Sequence, residues 1–252
     1  MPTFAPLRSG ASGQALTKED LLARILYRDA LMLAIDKPAG VAVHPGPRGG
    51  PSLEDHFDAL RFGLPRPPHL AHRLDRDTSG CLVLGRHKKA LAQLGALFAE
   101  GAVEKVYWAV VTGAPPTETG TIDLALSKRS TRARGWWMEP DPGGQSAVTD
   151  YCVRGSSSGN AQRFTWLELR PRSGRTHQIR VHLQALACPV VGDPVYGASV
   201  QGAKLRRLHL HARSVRVPLY PKREPIFLEA PVPPHMRELL EACGLRENAD
   251  AS

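Results

Sequence analysis

Residues 71–80 read Ala71-His72-Arg73-Leu74-Asp75-Arg76-Asp77-Thr78-Ser79-Gly80. A single carboxylate, Asp75, lies between Arg73 and Arg76 with His72 close by. Neighbouring positive charge favours the ionised form of a carboxylic acid. Thr78, Ser79 and Gly80 supply local hydrogen bonds and a turn that could hold that carboxylate still. Such a group can act as a nucleophile or a base. Taken by itself, the pattern is more often that of a solvated ion-pair loop.

A second polar stretch runs from Gly174 to His182. A helix starting near Thr176 places His177, Arg180 and Gln184 on one face. Ile179, Leu183 and Leu186 then form a separate, apolar face. His177, Arg180 and Gln184, aimed from the side opposite the packed one near a helix N-terminus, suit a carboxylate or a phosphate as target. A basic stripe turned to solvent is the alternative. Between the two stretches, Lys128, Arg129, Arg132 and Arg134 interleave with Trp136 and Trp137. Cations hold phosphates and indoles stack on bases, so these six are candidate RNA contacts. An irregular exposed loop with one Trp tucked in is the other reading. The pairs His209/His211 and His177/His182 come without an accompanying carboxylate or a third ligand, so no metal is expected.

These groups need a scaffold, and the composition allows one. The chain has 252 residues, 42% hydrophobic and 23% charged, ordinary for a globular protein. Its 33 Lys and Arg exceed its 24 Asp and Glu, giving +9, which favours a polyanionic partner. Cys81, Cys152, Cys188 and Cys243 have neither disulfide nor zinc spacing and fit a reducing compartment. No apolar run approaches membrane-spanning length, and the N-terminus lacks a signal core, so a cytoplasmic protein without a membrane partner is expected.

The periodicity predicts a helix over Lys18–Ile25 capped by Thr17, a strand at Leu31–Ile35, and a turn over Asp36–Gly40. Val41–Val43 is expected to resume the sheet. A helix from Leu53 to Leu60, a strand at Cys81–Leu84 and a helix from Lys88 to Glu100 follow. Val103–Thr112 is the longest strand candidate, and Ile122, Leu124 and Leu126 alternate as in a half-exposed strand. Val148–Val153 pairs with Phe164–Leu169, and further strands lie near Leu208–Val217. Short helices are expected at Thr176–Ala187 and Met236–Ala242. Strands between isolated helices indicate α+β with a mixed, largely antiparallel sheet. Residues 1–16 and 244–252 read as flexible tails around one domain, 17–243.

His72-Arg73-Leu74-Asp75 with Thr78-Ser79-Gly80 resembles the H-R-L-D-x-x-T-S-G signature of the RluA-type RNA pseudouridine synthases. Further stretches resemble that family in the same order. They are Asp36–Gly40 with Val43-His44-Pro45, Glu104–Val110, Gly174–His182, and Pro189–Asp193 with Tyr196-Gly197. The resemblance spans about residues 25–230. It implies the pseudouridine synthase catalytic fold and an isomerase that converts uridine to pseudouridine without metal or cofactor. It implies Asp75 as catalytic carboxylate, Tyr107 stacking on the target base, and Arg180 pairing with Asp75. His72, Arg73, Thr78, Arg175, His177 and Gln178 are implied substrate contacts. Only about 25 residues precede the first strand, too few for the S4-type RNA-binding domain many members carry. Transfer RNA, large-subunit ribosomal RNA, or both are the implied partners, bound by a monomer.

Overall fold

The structure, a computed structural model, describes residues 16–46, 49–133, 135–157, 162–197 and 207–246. The expected terminal tails and Arg134 lie wholly or largely outside these. Ten strands form one sheet. In chain order these are β1 (Ile25–Arg28), β2 (Met32–Lys37), β3 (His69–Leu70), β4 (Ser79–Gly85), β5 (Glu104–Thr112) and β6 (Thr119–Asp123). A separate two-stranded hairpin, β7 (Leu126–Thr131) and β8 (Gly135–Pro140), comes next, followed by β9 (Val148–Ser156), β10 (Phe164–Pro171), β11 (Leu210–Val217) and β12 (Ile226–Glu229). The sheet order is β1-β2-β4-β11-β5-β10-β9-β6, with β3 against β4 and β12 against β11. All of its pairings are antiparallel except β4 with β11, so the mixed, largely antiparallel sheet matches expectation.

The strand period of two divides the core into two layers. On β2, Leu33 and Ile35 join one cluster while Met32 and Ala34 join another. On β5, Tyr107, Ala109 and Val111 face one way, Trp108 and Val110 the other. The first face is covered by α1 (Lys18–Leu22), by a 3₁₀ helix at Glu54–Leu60, and by α3 (Gln178–Ala185). The second is covered by α2 (Lys88–Ala99) and α4 (Pro234–Ala242). No helix among the described residues is long and apolar enough to cross a membrane.

Tyr107 packs against both clusters of the first face, so it marks a seam along the middle of the sheet. The parallel contact at that seam pairs Ser79 with His211 and Gly80 with Ala212. Gly80 has φ +110°, and a Cβ there would lie 2.2 Å from the Ala212 carbonyl oxygen. Only glycine lets the two backbones approach that closely. Ser79 Oγ also bonds His211 Nδ1 at 2.8 Å, which occupies one nitrogen of the H-x-H pair.

Several local expectations shift. α1 ends at Leu22, Ala23 and Arg24 form a turn, and Ile25, expected to finish the helix, opens β1. Val41–Val43 forms no strand; Val43 instead packs beneath the 3₁₀ helix with Leu53 and Phe57. The irregular loop expected at Lys128–Trp137 is the β7–β8 hairpin. α3 starts at Gln178 rather than after Thr176. His177 occupies its N-cap in the left-handed region, with φ 54°, and makes no side-chain cap bond.

Candidate active site

Asp75 sits in the loop between β3 and β4, at the seam. The loop is fastened from below. The Thr78 amide donates to the Asp75 carbonyl at 3.2 Å, and Leu74 is buried in the core. The Gly40 amide and the Lys37 ammonium both donate to the Arg76 carbonyl, at 3.0 and 2.9 Å. Arg76 Nε returns a bond to the Gly40 carbonyl at 3.1 Å. Lys37 is fully buried and also bonds the Pro38 carbonyl at 2.8 Å. Burial drives its pKa down to about 7, although Asp77, Asp75 and Asp36 resist that shift. With the backbone held this way, the Asp75 side chain remains 28% exposed at the surface of the seam.

Arg180 comes to Asp75 from α3, its Nη1 3.4 Å from Asp75 Oδ2. Its tighter partner is Asp193, which lies just beyond α3. Nε and Nη2 bond the two Asp193 oxygens at 2.7 and 2.8 Å in a fork. The Val195 and Tyr196 amides donate to the same carboxylate at 2.9 and 3.0 Å. Burial opposes both charges. The paired bonds outweigh it, so the Arg180 pKa rises and the Asp193 pKa falls. Arg180 is therefore a fixed cation with one guanidinium nitrogen left to face Asp75. From sequence, Asp193 stands only in the Pro189–Asp193 stretch that resembles the family, with no role of its own. The missed signal was an acidic residue within reach of a buried arginine, which must be paired.

Tyr107, on β5, packs at the seam against both clusters of the first face. Burial first, then the Asp75 charge, raises the pKa of its phenol, so the ring stays neutral and hydrogen-bearing. His177 brings its Nε2 to 3.9 Å from Asp75 Oδ2. Its Nδ1 meets the Tyr196 hydroxyl at 2.9 Å, which also accepts the Met138 amide at 2.9 Å. The Trp136 ring stacks on His177, centroids 5.0 Å apart. Lys128 Nζ lies 5.2 Å from the Trp136 ring. On the hairpin, Lys128 pairs with Met138 and Trp136 is two residues further on, so all three share the face against α3.

Asp75, Tyr107, Arg180 and His177 thus converge. Arg73, two residues before Asp75 in the same loop, is exposed and has no ion-pair partner among the described residues. Other candidates serve the fold. His72 Nε2 accepts the Val83 amide at 3.0 Å, and its ring stacks on Phe98 at 4.4 Å. Burial pushes its pKa down to about 4, as an acceptor nitrogen requires. Thr78 is buried. Gln178 is consumed internally, its oxygen taking Ser173 Oγ and the Arg175 amide, its nitrogen reaching Val148 and Thr149. Arg175 is exposed, and its Nε donates to the Ser146 carbonyl at 3.2 Å. Gln184, one turn beyond Arg180 on α3, is exposed, whereas residues 178–183 are all buried and leave no open polar side there. Within the hairpin, Arg129 bridges Glu139 and Asp141, and Trp137 Nε1 bonds Glu139 at 3.0 Å. Arg132, at the hairpin end, has no such partner among the described residues.

Comparison with known proteins gives this arrangement a context. The family model for RNA pseudouridylate synthases matches residues 32–185. An uncharacterised RNA pseudouridine synthase of Zymomonas mobilis is 42% identical over 87% of this chain and 98% of its own length. The ribosomal large subunit pseudouridine synthase D of Xanthomonas campestris is 37% identical over 92% of this chain and 72% of its own. Human RNA pseudouridylate synthase domain containing 4 superposes with a TM-score of 0.73 at 29% identity, covering 91% of this chain and 96% of that one. With a matching family model and a relative 42% identical along nearly its whole length, the chain belongs to the RluA-type RNA pseudouridine synthases and is an isomerase.

Proposed function

We propose that this isomerase converts uridines of structured RNA, large-subunit ribosomal RNA or transfer RNA, to pseudouridine, with Asp75 as the initiating carboxylate. The observation that carries the reading is the half-open Asp75 held against Arg180, itself locked by Asp193. The reaction breaks the bond from ribose C1′ to N1 and forms one from C1′ to C5. C5 releases a proton and N1 gains one, so no oxidant, reductant or water is consumed. An ionised carboxylate can open this sequence at C1′, by proton removal at C2′, or by addition at C6 of the base. Each route needs an accessible carboxylate oxygen, and Arg180 steadies Oδ2 of Asp75 from 3.4 Å while the side chain stays 28% exposed.

The target base reaches Asp75 only outside its helix. Extruding it costs a few kcal/mol, which stacking on the Tyr107 ring and contacts from Arg73 offset. Lys128, Arg132 and Trp136 extend the surface over the flanking strand, with cations for phosphates and an indole for a base. Arg129 is committed to Glu139 and Asp141 and contributes less. The large-subunit ribosomal enzymes among the relatives favour ribosomal RNA as the first substrate to try.

The test is tritium release from [5-³H]uridine-labelled RNA. Wild type should release label, whereas Asp75→Asn should release none above background and still bind RNA. Comparable turnover by the variant would show that another group starts the reaction. Mapping pseudouridine in cellular RNA with and without the protein would then name the sites.

A further inference from the structure

We infer that His177 is a positioning residue for Asp75, fixed in one tautomer by Tyr196 so that its Nε2–H points at Asp75 Oδ2. The inference rests on reading Asp75 as the reacting carboxylate. Its starting point is a proton count at the Tyr196 oxygen. That oxygen accepts the Met138 amide at 2.9 Å and stands 2.9 Å from His177 Nδ1. If the phenol donates to Nδ1, the imidazole proton sits on Nε2, facing Asp75 Oδ2 at 3.9 Å. The opposite tautomer would strand the phenol hydrogen without an acceptor among the described residues. It would also aim a nitrogen lone pair at a carboxylate.

Two further observations support the role. His177 is held at φ 54°, a region uncommon for a non-glycine residue and often found where a side chain must be aimed. Its ring is fixed on both sides, stacked beneath Trp136 and edge-on to Tyr196. Arg180 and His177 both address Oδ2, while Oδ1 has no partner among the described residues. One oxygen is thus tethered and the other is left to react. A separation of 3.9 Å without RNA is of the kind that shortens to a hydrogen bond when substrate closes the site. Because Tyr196 also holds the β8 backbone, the hairpin and the carboxylate share one hydroxyl.

His177→Asn and His177→Gln separate this role from a structural one. Asn tolerates the left-handed backbone but is too short to reach Asp75, while the Gln amide can stand in for Nε2–H. In the tritium assay Asn should lower kcat about tenfold or more with KM within about twofold, as loss of a bond to a charged group implies. Gln should restore kcat to within a few-fold of wild type. Long-range ¹⁵N–¹H spectra of the wild-type protein should show His177 protonated at Nε2, and Tyr196→Phe should weaken that preference. Wild-type kcat for Asn, equal losses in Asn and Gln, a loss confined to KM, or a wild-type Nδ1–H tautomer would overturn the inference. An active Asp75→Asn would instead remove the reading beneath it.

Discussion

At the scale of single residues, the site is an argument about who holds whom. The sequence pointed to Arg180 as the partner of Asp75, and the two do meet, at 3.4 Å. Yet the shorter bonds of Arg180 go to Asp193, whose side chain is fully buried. Removing one member of a buried pair leaves the other charge stranded, typically at a cost of about 3–5 kcal/mol. Asp193→Ala should therefore lower both stability, by about that amount, and activity, while RNA affinity falls much less. Urea denaturation, tritium release and filter binding on the same preparation check this. A variant as stable as wild type would show that Arg180 does not depend on Asp193. By the same logic Arg180→Met would strand Asp193 as well as free Asp75. His72 illustrates what spacing hides. Its place in the motif suggested nucleotide contact, but its ring accepts a sheet amide and stacks on Phe98, a partner 26 positions away that no local pattern reveals.

At the scale of elements, apolar runs were legible and chain-crossing contacts were not. β2, β4, β5, β9 and β10 fall where apolar residues cluster, and β2 and β4 are nearly continuous runs because both their faces are buried. The hairpin was missed because β7, its turn and β8 carry Lys128, Arg129, Arg132 and two Trp, a composition that reads as loop. Its pairing is stabilised by cross-strand charge and by Tyr196, 58 positions from Met138. α3 was read as amphipathic, but it inserts between the sheet and the hairpin, so its polar side is buried as well. The turn glycines show the same limit. Gly40 and Gly80 both have positive φ, yet a Cβ on Gly40 would meet nothing within 4 Å, while on Gly80 it strikes the Ala212 backbone. Gly40→Ala should thus cost only about 1 kcal/mol of conformational strain. Gly80→Ala should cost more than about 4 kcal/mol and separate β4 from β11, with the folded fraction too small to assay. Equal denaturation midpoints for the two variants would show that the close approach at the seam does not matter.

At the scale of the whole molecule, the buried ionisable groups set where on the pH axis the fold is strongest. His72 and His211 are buried and neutral, with pKa values driven down by burial to about 4 and about 3. Between those values and 6.5 the unfolded chain takes up protons that the folded chain refuses, so stability rises with pH through that window. Asp36 acts in the opposite sense. Burial raises it to about 6, and the stability this carries at low pH is lost as pH climbs from 3.8 to 6. Above pH 7 the decisive group is Lys37, lowered by burial from 10.5 to about 7. Its amine still has hydrogens for the Pro38 and Arg76 carbonyls when neutral, so the loop carrying Asp75 stays fastened. The unfolded lysine stays charged until about 10.5, so stability should go on rising from pH 7 to about 9. Only there do thiols such as Cys81, raised by burial to about 12, begin to favour the unfolded chain. The urea midpoint should therefore be higher at pH 9 than at pH 7, beyond the range of about 5 to 8 where most proteins are strongest. Lys37→Met removes the titrating amine and should flatten the profile between those two values, whatever it does to absolute stability. A wild-type midpoint that is level or falling from pH 7 to 9 would mean that Lys37 keeps its proton in the fold, held by Asp75 and Asp77 more strongly than burial opposes it.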